Sequence, residues 1–137
     1  MSPRFTDNNN GTVKDNLTGL IWLKYATGLR LFLWADALTE CATLKSGNKG
    51  LTDGSGEGDW RLPNAKELYS LVDLGRSSPA LPIGHPFIDV WEGDQYWSSS
   101  TCAADTNYAW CVVMNEGEVT YAKKMSTNSV WPVRGGQ

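Results

Sequence analysis

The segment from Asp59 to Leu68, which reads Asp-Trp-Arg-Leu-Pro-Asn-Ala-Lys-Glu-Leu, constrains the fold more than any other part of the chain. Pro63 ends a short extended stretch, because a proline disfavours helical angles in the residue before it. Asn64 then suits a helix N-cap, and Glu67 follows three residues later, as a capping box requires. Apolar residues continue at helical spacing. The segment therefore predicts a bend followed by a helix from Asn64 to Leu74 with one buried face.

The rest of the chain predicts one more helix and two groups of strands. Apolar residues recur at three- and four-residue steps from Trp34 to Leu44, which predicts an amphipathic helix. Asn- and Gly-containing turns divide Arg4 to Trp22 into a three-stranded β-meander. In the C-terminal third, the segment from Tyr108 to Met114 is apolar at both its odd-numbered and its even-numbered positions. Since these positions point to opposite faces of a strand, the pattern predicts a central strand that is covered on both faces. The sequence thus predicts an α+β fold: an N-terminal β-meander, two helices and a C-terminal antiparallel sheet.

The length, the net charge and the tryptophan content limit the classes of protein to which the chain can belong. A length of 137 residues fits one domain, residues 1–137, with its own core. The formal net charge of −3 argues against nucleic acid as a partner, and no apolar run approaches the ~20 residues of a membrane span. Seven tryptophans fit a compact domain or a surface that binds rings. Those expected mainly in the core are Trp22, Trp34, Trp60, Trp97 and Trp110, whereas Trp91 or Trp131, each beside a chain breaker, is expected at the surface.

The titratable residues predict neither a cofactor nor a metal site. Asp53 and Glu57 lie in a glycine-rich loop without the spacing of a cation-binding motif, so a solvated loop is predicted there. His85 is the only histidine and has no acidic or thiol partner near it in sequence, whereas a general base needs an orienting partner. Three cysteines fit neither a full disulfide framework nor a four-ligand zinc site. The residues themselves favour a non-catalytic protein.

The central segment and several others, taken in order, resemble the collagen-like-protein C-terminal (Lcl) domain family. The other matching segments are Arg4 to Asp7, Gly11 to Val13, Asp15 to Trp22, Trp34 to Leu38, Tyr96 to Ser99, Ala109-Trp110 and Val133 to Gly136. The resemblance covers nearly the whole chain. It implies a C-type-lectin-like fold in an exported bacterial or phage protein, in the cell envelope or outside the cell, with no activity common to the family. No secretory leader is recognisable in the sequence, so export is implied by the resemblance alone.

The resemblance also implies where a ligand would bind. In C-type-lectin-like domains the loops between the late strands build the ligand surface, which here implies a recognition module for a glycan or a protein surface. The candidate ligand-binding residues are Ser100, Asp105, Asn107, Asn115, Glu116, Lys123, Lys124 and Asn128. The Glu-Pro-Asn and Trp-Asn-Asp motifs of calcium-dependent sugar binding are absent from the sequence.

Two alternative functions stay open at this point. The domain could be a structural cap or oligomerisation unit without a specific ligand, since some family members end trimeric collagen-like stalks. A homo-oligomer is therefore an open expectation. The Arg-Leu-Pro turn and the helix after it also resemble those of formylglycine-generating enzymes. Such an oxidase would need a reactive cysteine pair, and no basic residue that would lower a thiol pKa flanks Cys102 or Cys111.

The cysteines depart from the family pattern. Members commonly carry one cysteine on the first helix and another just before the final Val-Arg. Cys41 matches the first position, and Pro132 occupies the second. Cys41 is therefore predicted to be a buried free thiol. Cys102 and Cys111 are left as the candidate disulfide in an oxidising compartment, provided that their Cα atoms come within about 7 Å.

Overall fold

The computed structural model describes residues 4–26, 29–77, 79–90 and 95–135. Within these ranges the chain forms nine strands and two helices. In chain order they are β1 (Phe5–Asp7), β2 (Thr12–Asp15), β3 (Leu20–Leu23), β4 (Leu29–Leu33), α1 (Trp34–Thr43), α2 (Ala65–Tyr69), β5 (Gln95–Thr101), β6 (Tyr108–Val113), β7 (Glu118–Lys123), β8 (Thr127–Val130) and β9 (Val133–Gly135). The architecture is α+β, as the sequence predicts.

One sheet, called here the terminal sheet, holds both ends of the described chain in the order β1-β2-β3-β9. Its first three strands are the predicted meander, joined antiparallel. The last strand, β9, completes the sheet by pairing with β3, with Val133 opposite Trp22. Arg61, in the central segment, forms an antiparallel bridge with Val133. The central segment is thereby tied to the end of the chain through main-chain hydrogen bonds of 2.9 and 3.0 Å.

The second sheet has five strands in the order β4-β8-β5-β6-β7. Strand β6 lies between β5 and β7 and pairs antiparallel with both, which confirms the predicted central strand. Val112 belongs to a large core shared with the terminal sheet. Its neighbour Cys111 belongs to a smaller core with Ala37 and Cys41 of α1. Toward the C-terminal end of β6, alternate residues therefore enter two different cores, as the sequence predicts. The predicted cover on both faces is wrong for the first half of the strand, where Tyr108 and Trp110 are only half-buried.

The two helices begin where the sequence predicts. In α2 the capping box is complete: the Asn64 side chain accepts the Glu67 N–H at 2.8 Å, and the Glu67 carboxylate accepts the Asn64 N–H at 2.9 Å. The predicted end at Leu74 is wrong, because α2 stops at Tyr69. Beyond the helix the Asp73 N–H donates to the Ala80 carbonyl at 2.8 Å. This bond joins the chain to the following loop and leaves no further turn of helix.

Of the five tryptophans predicted in the core, three are buried and two are half-buried, and one tryptophan predicted at the surface is buried. Trp22, Trp60 and Trp97 are buried as predicted, and Trp34 and Trp110 are half-buried. Trp91 lies outside the described residues. Trp131 was expected at the surface and is fully buried: its Nε1 donates to the Leu23 carbonyl at 2.9 Å, and its ring packs against Phe87 at 4.8 Å. The neighbouring Pro132 interrupts the strand but does not turn the chain outward, because its carbonyl accepts the Leu23 N–H at 3.1 Å.

Candidate functional site

The late strands and the loop after β5 enclose an open pocket of about 620 Å³. Its lining combines three aromatic rings, one carboxylate and several small residues. They are Thr101, Cys102, Ala103, Ala104, Asp105, Tyr108, Trp110 and Tyr121. This pocket is called the aromatic pocket below. Its volume lies within the range typical of small-molecule sites in proteins.

The pairing of β6 with β7 brings the three rings together. Tyr108 and Trp110 are two residues apart on β6 and so point to the same face of the sheet. Tyr121 stands directly opposite Trp110 on β7, which puts its ring on that face as well. Tyr121 meets Trp110 edge-to-face at 5.8 Å and Tyr108 at 5.5 Å. Tyr121 is 58% exposed, so the aromatic group is open to solvent.

The loop from Cys102 to Asn107 forms the other wall. Its two ends meet where the Cys102 N–H donates to the Tyr108 carbonyl at 2.9 Å. Inside the loop the Asp105 carboxylate accepts the Asn107 N–H at 3.0 Å, and the Asp105 carbonyl accepts the Tyr108 N–H at 3.0 Å. These bonds fold the loop as an Asx-type turn around Asp105. One oxygen of the Asp105 carboxylate is used in this way.

Lys124 holds the loop from behind. Its ammonium donates to the Thr101 hydroxyl at 3.0 Å, and its main-chain N–H donates to the Asn107 carbonyl at 2.9 Å. The same ammonium lies 4.0 Å from the centre of the Trp34 ring, a cation–π distance. Trp34 is in turn fixed by a bond from its Nε1 to the Ser98 carbonyl at 2.9 Å. Lys124 therefore joins both ends of the pocket loop to α1.

The eight candidate residues from the sequence do not gather in one place. Asp105 lines the aromatic pocket, Asn107 and Lys124 fix its loop, and Lys123 stands opposite Tyr108 on β7. The other four lie elsewhere. The Ser100 hydroxyl accepts the Ala65 N–H, Asn128 is buried in β8 opposite Phe32, and Asn115 and Glu116 form the turn at the far end of β6.

Sequence reasoning missed the three aromatic residues of the pocket, because it assigned Trp110 to the core and searched only the loops for ligand contacts. A usable signal was present. Tyr108 and Trp110 alternate on β6, and the turn at Asn115 to Gly117 sets Tyr121 opposite them. Aromatic residues on one face of a terminal hairpin pack together whether or not an opposing layer covers them.

All three cysteines are free and buried in the structure, as expected for Cys41. The structure therefore does not contain the expected Cys102–Cys111 bridge: Cys111 stands opposite Trp97, whereas the Cys102 amide bonds to Tyr108. Burial, and secondly the neighbouring Cys102, raise the pKa of the Cys111 thiol to about 12. Burial also raises the pKa of Cys41 well above its ordinary value. The bridge stays a prediction for protein matured in an oxidising compartment.

A second pocket, of about 600 Å³, opens beside the terminal sheet. Its charged groups are partly engaged with one another, since the Lys24 ammonium and the Asp7 carboxylate form an ion pair of 2.5 Å across it. The hydrogen bond from Lys24 first, and that from the Asn9 N–H second, lower the pKa of Asp7. Tyr25, which is half-exposed, contributes a single aromatic ring. The aromatic pocket offers more ring surface for a ligand.

His85 packs beside Phe87 at 5.9 Å, and burial lowers the pKa of its imidazole. Among the residues that the structure describes, no group of three or more histidine, cysteine or acidic side chains could hold a metal ion. Within those same ranges no helix is long and apolar enough to cross a membrane.

Fold and site together define an α+β domain in which a four-stranded sheet joins the chain ends and a five-stranded sheet carries a solvent-open aromatic pocket. The family model of the Lcl C-terminal domain matches residues 11–134. The chain therefore belongs to the Lcl C-terminal domain family. No curated protein matches the sequence.

Proposed function

We propose that this protein is a non-catalytic recognition module of an exported bacterial or phage protein, and that it binds a glycan in the aromatic pocket. The observation that carries the proposal is the group formed by Tyr108, Trp110 and Tyr121 beside the Asp105 loop. Sugar rings present apolar C–H faces that pack on aromatic rings, while their hydroxyls need acceptors and donors at the rim. Asp105 supplies an acceptor, and Lys123, opposite Tyr108, supplies a donor.

A C-type-lectin-like fold is part of the proposal. The supporting features are the pairing of β9 with β3, which joins the chain ends in one sheet, and a pocket built by the late strands of the other sheet. The oxidase alternative finds less support. A reactive thiol needs a lowered pKa, whereas burial raises the pKa of Cys111.

A glycan-binding screen with three matched variants tests the proposal. Tyr121→Ala removes the most exposed ring of the aromatic pocket, Tyr25→Ala removes the ring of the second pocket, and Tyr69→Ala removes an exposed tyrosine from α2. We expect Tyr121→Ala to weaken binding of the glycan found in the screen by about tenfold or more, equivalent to about 1.4 kcal/mol. Tyr69→Ala should bind as the wild type does.

Two outcomes would count against the proposal, one against the site and one against the glycan. Loss of binding in Tyr25→Ala alone would move the site to the second pocket. Absence of binding to any glycan, with binding to a surface-protein extract that Tyr121→Ala abolishes, would keep the pocket and replace the sugar by a protein ligand.

A further inference from the structure

Several hydrogen-bond acceptors around the aromatic pocket are already in use. The main-chain carbonyls of Asp105, Asn107 and Tyr108 each accept a main-chain N–H at 2.9 or 3.0 Å. The Thr101 hydroxyl accepts a hydrogen bond from the Lys124 ammonium at 3.0 Å. One oxygen of the Asp105 carboxylate accepts the Asn107 N–H. In the described part of the chain, these bonds leave the second carboxylate oxygen, and the negative charge, for a ligand.

The three rings of the pocket meet in concave corners. The plane of the Tyr121 ring makes an angle of 84° with Trp110 and of 74° with Tyr108, so a face of each ring borders the corner between the two. The faces of aromatic rings attract cations that lie within about 6 Å of the ring centre. Ala103 and Ala104 add small apolar side chains to the lining. The pocket therefore suits a positively charged group with an apolar surface.

A quaternary ammonium group fits this lining better than a primary one. A primary ammonium has three N–H donors that need acceptors, and the lining offers them the second Asp105 oxygen and the phenolic hydroxyls of Tyr108 and Tyr121. A quaternary ammonium has no N–H, and its methyl groups pack on rings and on alanine side chains without leaving a donor unpaired. Groups of aromatic rings recognise quaternary ammonium ligands by this physics.

We propose that the aromatic pocket binds a quaternary ammonium group, of the kind present in choline, and that the recognised glycan carries this group. The inference rests on the proposed function and adds the chemical class of the ligand. The cation would enter the corner of the rings, with the Asp105 carboxylate as its counter-charge. The sugar to which it is attached would pack on Tyr121, which is 58% exposed.

Two lysines lie near the pocket, and neither is part of its lining. The Lys124 ammonium is held by Thr101 and lies 4.0 Å from the centre of the Trp34 ring. Lys123 stands opposite Tyr108 on β7. A phosphate that links choline to a sugar would meet the Lys123 ammonium in a charge-assisted hydrogen bond. Phosphocholine should therefore bind more tightly than choline, by about threefold, and Lys123→Met should remove the difference.

An NMR titration of the intact chain with choline tests the charge requirement without any mutation. The matched ligand is 3,3-dimethylbutan-1-ol, which has the shape of choline and no charge, and sodium chloride controls for ionic strength. We expect choline to shift the indole N–H signal of Trp110 with a Kd of about 1 mM, as suits a ligand of few atoms. The neutral alcohol should bind about fivefold more weakly or not at all.

Variants locate the choline site. Tyr121→Leu removes the exposed ring, and Asp105→Asn removes the negative charge. Each should raise the Kd for choline by about fivefold or more. Tyr121→Phe keeps the ring and should stay within about twofold of the wild type, and Tyr25→Leu in the second pocket should change nothing. Equal binding of choline and the neutral alcohol, or a choline Kd indifferent to Tyr121→Leu and Asp105→Asn, would overturn the inference.

Competition separates this inference from the proposed function. Choline at saturation should displace the glycan found in the screen. Glycan binding that Tyr121→Ala abolishes and that choline does not disturb would overturn the inference and leave the proposed function standing. Capture of phosphatidylcholine vesicles that depends on Tyr121, with no glycan bound, would overturn the glycan as the carrier and assign the ammonium group to a lipid.

Discussion

The terminal sheet and the β6–β7 hairpin use their polar and aromatic residues in opposite ways. Around the terminal sheet the charged groups hold the chain together: Arg4 donates two hydrogen bonds to the fully buried Asp15, at 2.7 and 2.8 Å. Arg61 makes a similar two-bond pair with Glu67. On the hairpin the rings of Tyr108, Trp110 and Tyr121 pack on one another but stay partly open to solvent.

The comparison teaches which features of this chain are available for recognition. The Asp53 carboxylate is fully buried against Arg134, whose guanidinium also lies 5.4 Å from the Trp60 ring. Such a group is already satisfied, and drawing it out toward a ligand would leave its partner unpaired. The rings of Tyr108, Trp110 and Tyr121 contact one another and carry no charge that a ligand would have to draw away from an ion pair. Truncations should therefore cost stability around the terminal sheet and binding on the hairpin.

The largest expected effect contrasts two tryptophans. Trp131→Ala should lower the free energy of unfolding by about 3–5 kcal/mol, because the ring is fully buried and contacts Trp22 and Phe87. Trp110→Ala, in the aromatic pocket, should cost clearly less stability and should abolish the proposed glycan binding. Urea unfolding of both variants gives the two free energies. Equal losses would show that the hairpin is as much a part of the core as the terminal sheet.

The next effect is acid sensitivity. Burial would raise the pKa of Asp15, but hydrogen bonds from Arg4 and from the Leu17 N–H outweigh it and hold the pKa below its ordinary value of 3.8. As the pH falls, the unfolded chain binds this proton before the folded one does. The stability from this carboxylate is therefore present above about pH 4 and is lost as the pH falls through the folded pKa.

Asp15→Asn checks this assignment. The variant should lose about 2 kcal/mol of unfolding free energy at neutral pH, since it gives up charge-assisted hydrogen bonds. It should also show a shallower fall of stability below pH 4 than the wild type. Asp105→Asn is the matched control on the hairpin and should leave neutral stability nearly unchanged. The measurement is the unfolding free energy of the three proteins at a series of pH values.

The smallest expected effect concerns Lys124. Lys124→Met keeps the length of the side chain but removes the charge over Trp34 and the bond to Thr101. It should lower stability by only about 0.5–1 kcal/mol, while amide exchange of the 102–107 loop speeds up. Lys123→Met, one residue away, should change neither quantity. If the amide exchange rate of the 102–107 loop stays the same in Lys124→Met, the main-chain hydrogen bonds alone hold the pocket wall.

The sequence determined the features that local physics decides. The capping box at Asn64 and Glu67, the amphipathic period of α1 and the N-terminal meander each follow from residues close together in the chain. The interior position of β6 in its sheet was readable too, because its residues are apolar at every position. The predicted cover on both faces, however, is wrong for the half of the strand that carries Tyr108 and Trp110. These elements needed no knowledge of what packs against them.

Only the tertiary structure decided where α2 ends, that Trp131 is buried and which residues form the site. The end of α2 depends on the distant Ala80 carbonyl, and the burial of Trp131 depends on Phe87 and Leu23, both far away in sequence. The same is true of the site. Lys124 reads as a free surface charge in the sequence, whereas the fold uses it to hold a loop. Tyr121 reads as one more strand residue and becomes the exposed edge of the pocket. The physical reason is that burial and hydrogen-bond partners are set by which strands meet, and strand pairing joins residues that local sequence cannot relate.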